Sequence, residues 1–185
     1  MKVIATVIPD VMIIEPQVFG DERGFFLESF NQKAFNEATN SSCNFVQDNH
    51  SRSTQGVLRG LHYQLQQPQG KLVRVVRGTV YDVAVDIRKK SATFGCWVGV
   101  ELSEHNHRQL WVPPGLAHGF LVLSESADFL YKTTEYYAPA FERCVLWNDP
   151  ELAIDWPLDQ INSGLPLLSA KDQQGKPLSL AELSA

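Results

Sequence analysis

The chain has 185 residues, three cysteines and a formal charge of −5. That length suits one domain able to bury a core without disulfide or metal staples. The mildly acidic balance argues against a nucleic-acid binder, which needs a broad cationic surface, and no apolar run approaches the length of a membrane span.

The start carries Lys2 and a short apolar run, interrupted by Pro9 and Asp10 with no small-residue cleavage site after them. That pattern argues against a signal peptide. Cys43, Cys96 and Cys144 are odd in number, far apart and at no metal spacing, so they read as free thiols of a reducing, cytoplasmic protein. Residues 11–14 and 24–30 predict early strands. Residues 31–39 predict one short helix, capped by Asn31, with Phe35 and Ala38 on one side.

From Val57 onward a strand pattern dominates. Residues 72–77 lead through Gly78 into 79–87. In that second segment Tyr81, Val83, Val85 and Ile87 share one face, and Val80, Asp82, Ala84 and Asp86 the other. Residues 97–102, 109–112, 118–123 and 128–134 continue the series, with a turn at Pro113, Pro114 and Gly115. The final stretch reads as irregular, with a short closing helix near 180–183. No repeat, low-complexity tract or linker interrupts the chain. The reading is one all-β sandwich or barrel domain over 1–185, its core about 19–150, with 151–185 packed on it and closing the site.

Two histidines sit inside these apolar segments, His62 in RGLHYQ and His118 in PPGLAHGF. A lone histidine on such a strand is more often structural than catalytic. The neighbours shift that balance: Arg59, Lys71 and Arg74 also fall in segments that should bury apolar groups, and buried charge is costly unless paired or ligand-bound. A cleft explains them. Strict alternation puts Arg59 and His62 on opposite faces; either Gly60 lies at a bulge that re-aims the chain, or the two share no pocket. Asp82 is expected at a barrel mouth and Asp86 at a solvent edge. Tyr131 in FLYKTTEYY reads, taken alone, as a core tyrosine. Tyr136 and Tyr137 could stack on a base or simply pack. His105 and His107 belong to an exposed turn.

PPGLAHGF resembles the second motif of the cupin superfamily, and the span from Gly56 through His62 to Gly78 is similar to the first. Metal-binding cupins carry a second histidine two residues after the first, and a glutamate. Here Gln64 takes that place and Lys71 stands where no glutamate occurs. The departure implies a metal-free, cofactor-free scaffold for proton transfer. In order, DERGFFLESF, FVQDNHSRS, GVLRGLHYQ, QGKLVRVVRG, YDVAVDIRK, FGCWVGVELS, LWVPPGLAHGF, FLYKTTEYYAP, VLWNDP and LSAKD resemble the dTDP-4-dehydrorhamnose 3,5-epimerase family, from about Phe19 to Asp172.

The resemblance implies a cupin-type jelly roll with a few short helices. It implies His62 as general base, Asp172 as the group orienting it, Tyr131 as acid on the opposite face and Lys71 as the enolate-stabilising cation. Arg23, Glu28, Gln47, Asn49, Arg59, His118, Glu142 and Lys171 resemble substrate contacts. Tyr137 resembles the residue stacked on thymine, and Phe26 one lining the nucleotide site; Arg143 receives no role. The implied substrate is dTDP-4-dehydro-6-deoxy-D-glucose and the product dTDP-4-dehydro-L-rhamnose, a precursor of cell-surface rhamnose. The implied assembly is a homodimer in which residues 19–30 reach the neighbouring pocket. Neither a Gly-rich phosphate loop nor a nicotinamide fingerprint is present, so side chains such as Arg23 and Arg59 must hold the diphosphate. Three alternatives stay open: an epimerase inverting a single carbon, a metal-dependent cupin, and a non-catalytic sugar-nucleotide binding module.

Overall fold

The computed structural model describes residues 1–184. Its strands are β1 (Lys2–Ala5), β2 (Met12–Glu15), β3 (Val18–Asp21), β4 (Gly24–Leu27), β5 (Gln47–Thr54), β6 (Leu58–Gln64), β7 (Lys71–Arg77), β8 (Thr79–Asp86), β9 (Trp97–Ser103), β10 (Gln109–Val112), β11 (Leu116–Val122), β12 (Ser126–Thr133) and β13 (Glu142–Cys144). Helix α1 spans Gln32–Thr39 and α2 spans Ala170–Gln173. A six-stranded antiparallel sheet runs β1-β2-β10-β7-β12-β5, and a five-stranded one runs β13-β6-β11-β8-β9. β3 and β4 form a separate hairpin. This is a cupin-type jelly roll.

Alternation along β8 explains both layers of the interior. Val80 and Ala84 point between the sheets, where they meet Val73, Val75, Leu110, Phe120 and Phe129. Val83, Val85 and Ile87 point outward, and Tyr81 packs beside them. That outer face is covered by the C-terminal stretch through Leu152, Trp156, Ile161 and Leu178. Both faces of the five-stranded sheet are therefore covered, and β8 and β11 are buried almost throughout. On the other sheet, α1 lays Phe35 against Trp111, with ring centroids 5.1 Å apart and edge-on.

The structure revises several expectations. Asn31 caps α1 by accepting from Ala34 N–H at 3.1 Å, but the buried residues are Phe35 and Thr39, while Ala38 is exposed. Polar β5 carries none of the apolar alternation that marks the other strands, and sequence reasoning missed it along with β1, β3 and β13. The closing helix is a single 3₁₀ turn at Leu178–Leu180. Asp86 is not at a solvent edge: it is fully buried and accepts from Arg88, Ser91 and Thr93. Burial opposes its ionisation, but those donors outweigh burial and hold its carboxyl well below the usual range. Asp82 is likewise fully buried rather than at a mouth.

Candidate active site

β6 carries the key side chain, and a single extra residue decides where it points. His118 of β11 pairs with His62, whereas Phe120 pairs with Arg59. Two steps along β11 thus match three along β6, a bulge at Gly60 and Leu61. Gly60 has φ +123°, a conformation L side chains rarely adopt, and an added Cβ would lie 2.6 Å from Gly119 Cα. The Gly60–Leu61 peptide is cis. Through the bulge Leu58, Leu61 and Tyr63 all join the outer core. Arg59 and His62 face the opposite way, and Arg59 donates to Ser53 Oγ of the other sheet at 3.1 Å. The parity conflict resolves in favour of the bulge.

His62 stands beside Asp172, with Nε2 2.7 Å from Oδ1. The carboxylate approaches away from the line of an ideal N–H···O bond, so Nε2 gains a charge partner but not a well-directed hydrogen bond. The carboxylate itself is firmly held: Oδ1 accepts from Gly60 N–H at 3.0 Å and Oδ2 from Ser169 Oγ at 2.5 Å. Burial opposes the Asp172 charge, yet His62, Ser169 and Gly60 together hold its carboxyl well below the ordinary value.

His62, Lys71, Tyr131, Tyr137, Glu142 and Gln64 line one cleft. Burial pushes the Lys71 ammonium down to about 8, against the pull of Glu142 and Asp82. Burial, reinforced by Glu142, raises Tyr131 and keeps its phenol protonated, while Arg59 acts in the opposite direction. His118 lies behind this cleft, its Nε2 3.0 Å from both Asp82 oxygens. Burial lowers its pKa despite that carboxylate.

A polar chain closes one end. Gln47 donates to Asn49 Oδ1 at 2.9 Å and accepts from Tyr137 N–H at 3.1 Å. Tyr137 donates through its hydroxyl to Glu142 Oε2 at 2.6 Å, and Lys171 pairs with the same carboxylate. Arg23, Phe26 and Glu28 stand apart. Arg23 pairs with Asp21 on the exposed β3–β4 hairpin, and Phe26 is 70% exposed. Phe26 and Glu28 line a different hollow with Phe30, Phe35 and Gln109. These three residues do not join the His62 cleft of the chain.

The donor set fits a cupin metal poorly. Gln64 spends its amide on two loops, donating to the Gln67 carbonyl between β6 and β7 and to the Tyr136 carbonyl after β12, and accepting from Ala138 N–H. His62, Cys144 and Asp172 do gather one ligand atom each within 4.8 Å. But burial, with Asp172 adding to it, pushes the Cys144 thiol up to about 12, and the Asp172 oxygens are already occupied. Sequence reasoning missed Ser169, which was legible as an S-x-x-D capping pattern in LSAKD.

The family model described as dTDP-4-dehydrorhamnose 3,5-epimerase matches residues 5–179. The chain belongs to that family. It is an isomerase of the epimerase class. A dTDP-4-dehydrorhamnose 3,5-epimerase of Pseudomonas aeruginosa is 62% identical over 182 residues, 98% of each chain. A dTDP-6-deoxy-D-glucose-3,5-epimerase of Legionella pneumophila, solved with dTDP-4-keto-L-rhamnose, superposes with TM-score 0.95 at 55% identity, covering 99% of this chain and 97% of that one. Further off, a dTDP-4-dehydrorhamnose 3-epimerase of Streptomyces niveus is 42% identical over 176 residues, 95% of this chain and 82% of its own.

Proposed function

We propose that this protein inverts carbons 3 and 5 of dTDP-4-dehydro-6-deoxy-D-glucose, giving dTDP-4-dehydro-L-rhamnose, with His62 as base and Tyr131 as acid. The observation that carries this reading is the single cleft lined by His62, Lys71 and Tyr131. The 4-keto group acidifies the hydrogens on both neighbouring carbons. His62 takes one, with Nε2 turned to Asp172 and the Nδ1 lone pair left for the substrate. The electron pair moves onto the carbonyl oxygen, where Lys71 stabilises charge that grows in the transition state. Tyr131, still protonated, returns a proton to the other face and so inverts the centre. His62 then gives its proton to solvent and Tyr131 regains one, and the same cycle at the second carbon gives the double epimer.

Around this centre, Gln47, Asn49, Arg59, Tyr137, Glu142 and Lys171 would hold the nucleotide end, with Tyr137 as the stacking surface. His118, held by Asp82, would be a further substrate contact at the floor of the site. The exposed Phe19, Phe25 and Phe26 on a hairpin outside both sheets support a homodimer in which Arg23, Phe26 and Glu28 complete the partner's cleft. The segment after residue 150 supplies Asp172 and Lys171 and closes the site. We assign the protein to the cytoplasm on its free cysteines.

Incubation with the 4-keto sugar nucleotide in heavy water tests this. NMR should show deuterium and inversion at both carbons. Label and inversion at one carbon only would make it a single-carbon epimerase like its Streptomyces relative.

A further inference from the structure

Asp172 does not hold itself in place. It belongs to a helix of four residues, far below the length at which a helix is stable alone. Its contact with His62 is a single one, Nε2 to Oδ1 at 2.7 Å, and one contact to one oxygen leaves the carboxylate plane free to turn. Two other groups fix it. Gly60 N–H binds Oδ1 at 3.0 Å. Ser169 forms a reciprocal capping box: its hydroxyl donates to Oδ2 at 2.5 Å, its N–H reaches the same oxygen at 3.3 Å, and its oxygen accepts from Asp172 N–H at 3.2 Å. Asp172 is buried, 2% exposed, so water has little access to replace a lost donor.

We propose that Ser169 is a positioning residue for the proton-abstracting pair, its hydroxyl fixing the orientation in which the Asp172 carboxylate faces His62. This rests on the function proposed above, in which His62 is the base. The same cap orders Lys171, which pairs with Glu142 at the nucleotide end. The two roles separate kinetically. A lost carboxylate orientation weakens the chemical step alone, whereas an unravelled α2 also frees Lys171 and weakens binding.

The test compares Ser169→Ala, Ser169→Gly and Ser169→Thr with His62→Ala as control. Glycine caps a helix nearly as well as serine but carries no hydroxyl; threonine keeps the hydroxyl. Alanine and glycine should both lower kcat by about 10- to 100-fold, the scale of a misplaced reacting group. KM should stay within about twofold, and deuterium wash-in at the substrate carbons should slow in parallel. Threonine should restore kcat. Wild-type kcat in the alanine and glycine variants, with His62→Ala inactive, overturns the role of Ser169 and leaves the epimerase reading standing. So does recovery by glycine, or a rise in KM without a fall in kcat; each marks a purely structural cap. Full activity in His62→Ala overturns the underlying reading instead.

Discussion

Gly60 donates its amide to Asp172 Oδ1 at 3.0 Å, tying together residues 112 apart in sequence. The glycine that re-aims His62 is thereby the one that holds the partner of His62. The bulge and the pair form one device. An L side chain at this point meets both a positive φ and the backbone of β11, with Gly119 Cα at 2.6 Å and His118 O at 2.7 Å from the added Cβ. Gly60→Ala should lower stability by about 3 kcal/mol, combining strain with overpacking, and should displace His62. Urea unfolding checks the first effect; a midpoint equal to wild type contradicts it.

Tyr131→Phe and His62→Ala should fail differently. Without the phenol, His62 still removes a proton, exchanges it with the heavy water and returns a deuteron to the same face, so deuterium enters without inversion. Without the imidazole neither exchange nor inversion proceeds. Both should lose about 10²- to 10⁴-fold in turnover. The measurement is NMR of recovered substrate in heavy water, and inversion at the wild-type rate in either variant removes that residue from the mechanism.

Lys71→Met should be more stable and less active. In the folded protein burial lowers the lysine to about 8, while the unfolded chain keeps the ordinary value. Between those two values the unfolded state binds more protons, so stability rises with pH across the window and the penalty is present in full below it. Methionine removes it, adding about 1–2 kcal/mol at neutral pH once partial exposure is discounted. The accompanying fall in kcat should be about 10²- to 10³-fold, as for a lost oxyanion donor. Thermal melts at pH 7 and pH 10 check the sign, since the advantage should shrink at the higher pH.

The same lysine sets a pH limit on catalysis. The profile of kcat/KM, which reports the free enzyme, should fall on its basic side near pH 8 as the ammonium is lost. In the Lys71→Arg variant that limb should vanish from the range, because guanidinium stays charged. An unchanged basic limb in the arginine variant assigns it to another group.

If Arg23 completes the partner's cleft, Arg23→Ala and His62→Ala should complement each other. Each variant alone is weakened, but mixed dimers hold one cleft with neither substitution. Co-refolding equal amounts should recover up to about one quarter of wild-type activity, following random pairing of protomers about symmetric dimers. No recovery on mixing places Arg23 in its own subunit's site or outside any.

The faces of β8 were readable from alternation alone, since Val83, Val85 and Ile87 pack under the C-terminal stretch and Val80 and Ala84 between the sheets. Ordered motifs likewise marked His62, Lys71, Tyr131 and Asp172 as candidates. Strand β5 was not readable: its polar residues include Gln47 and Asn49, which hydrogen-bond to each other instead of packing in the core. Asp86 misled for a related reason, because a fully buried carboxylate looks like a surface one until Arg88, Ser91 and Thr93 are seen around it.

By itself the sequence determined the strand periodicity, the family and the set of residue types suited to proton transfer, because those depend on local spacing and composition. Only the tertiary structure decided that Arg59 and His62 share a side, that Ser169 and Gly60 hold Asp172, and that Arg23 lies apart from the cleft. Each of those depends on a bulge, a cap or a contact across many residues, and such long-range pairings are fixed by packing and register, which no local pattern encodes.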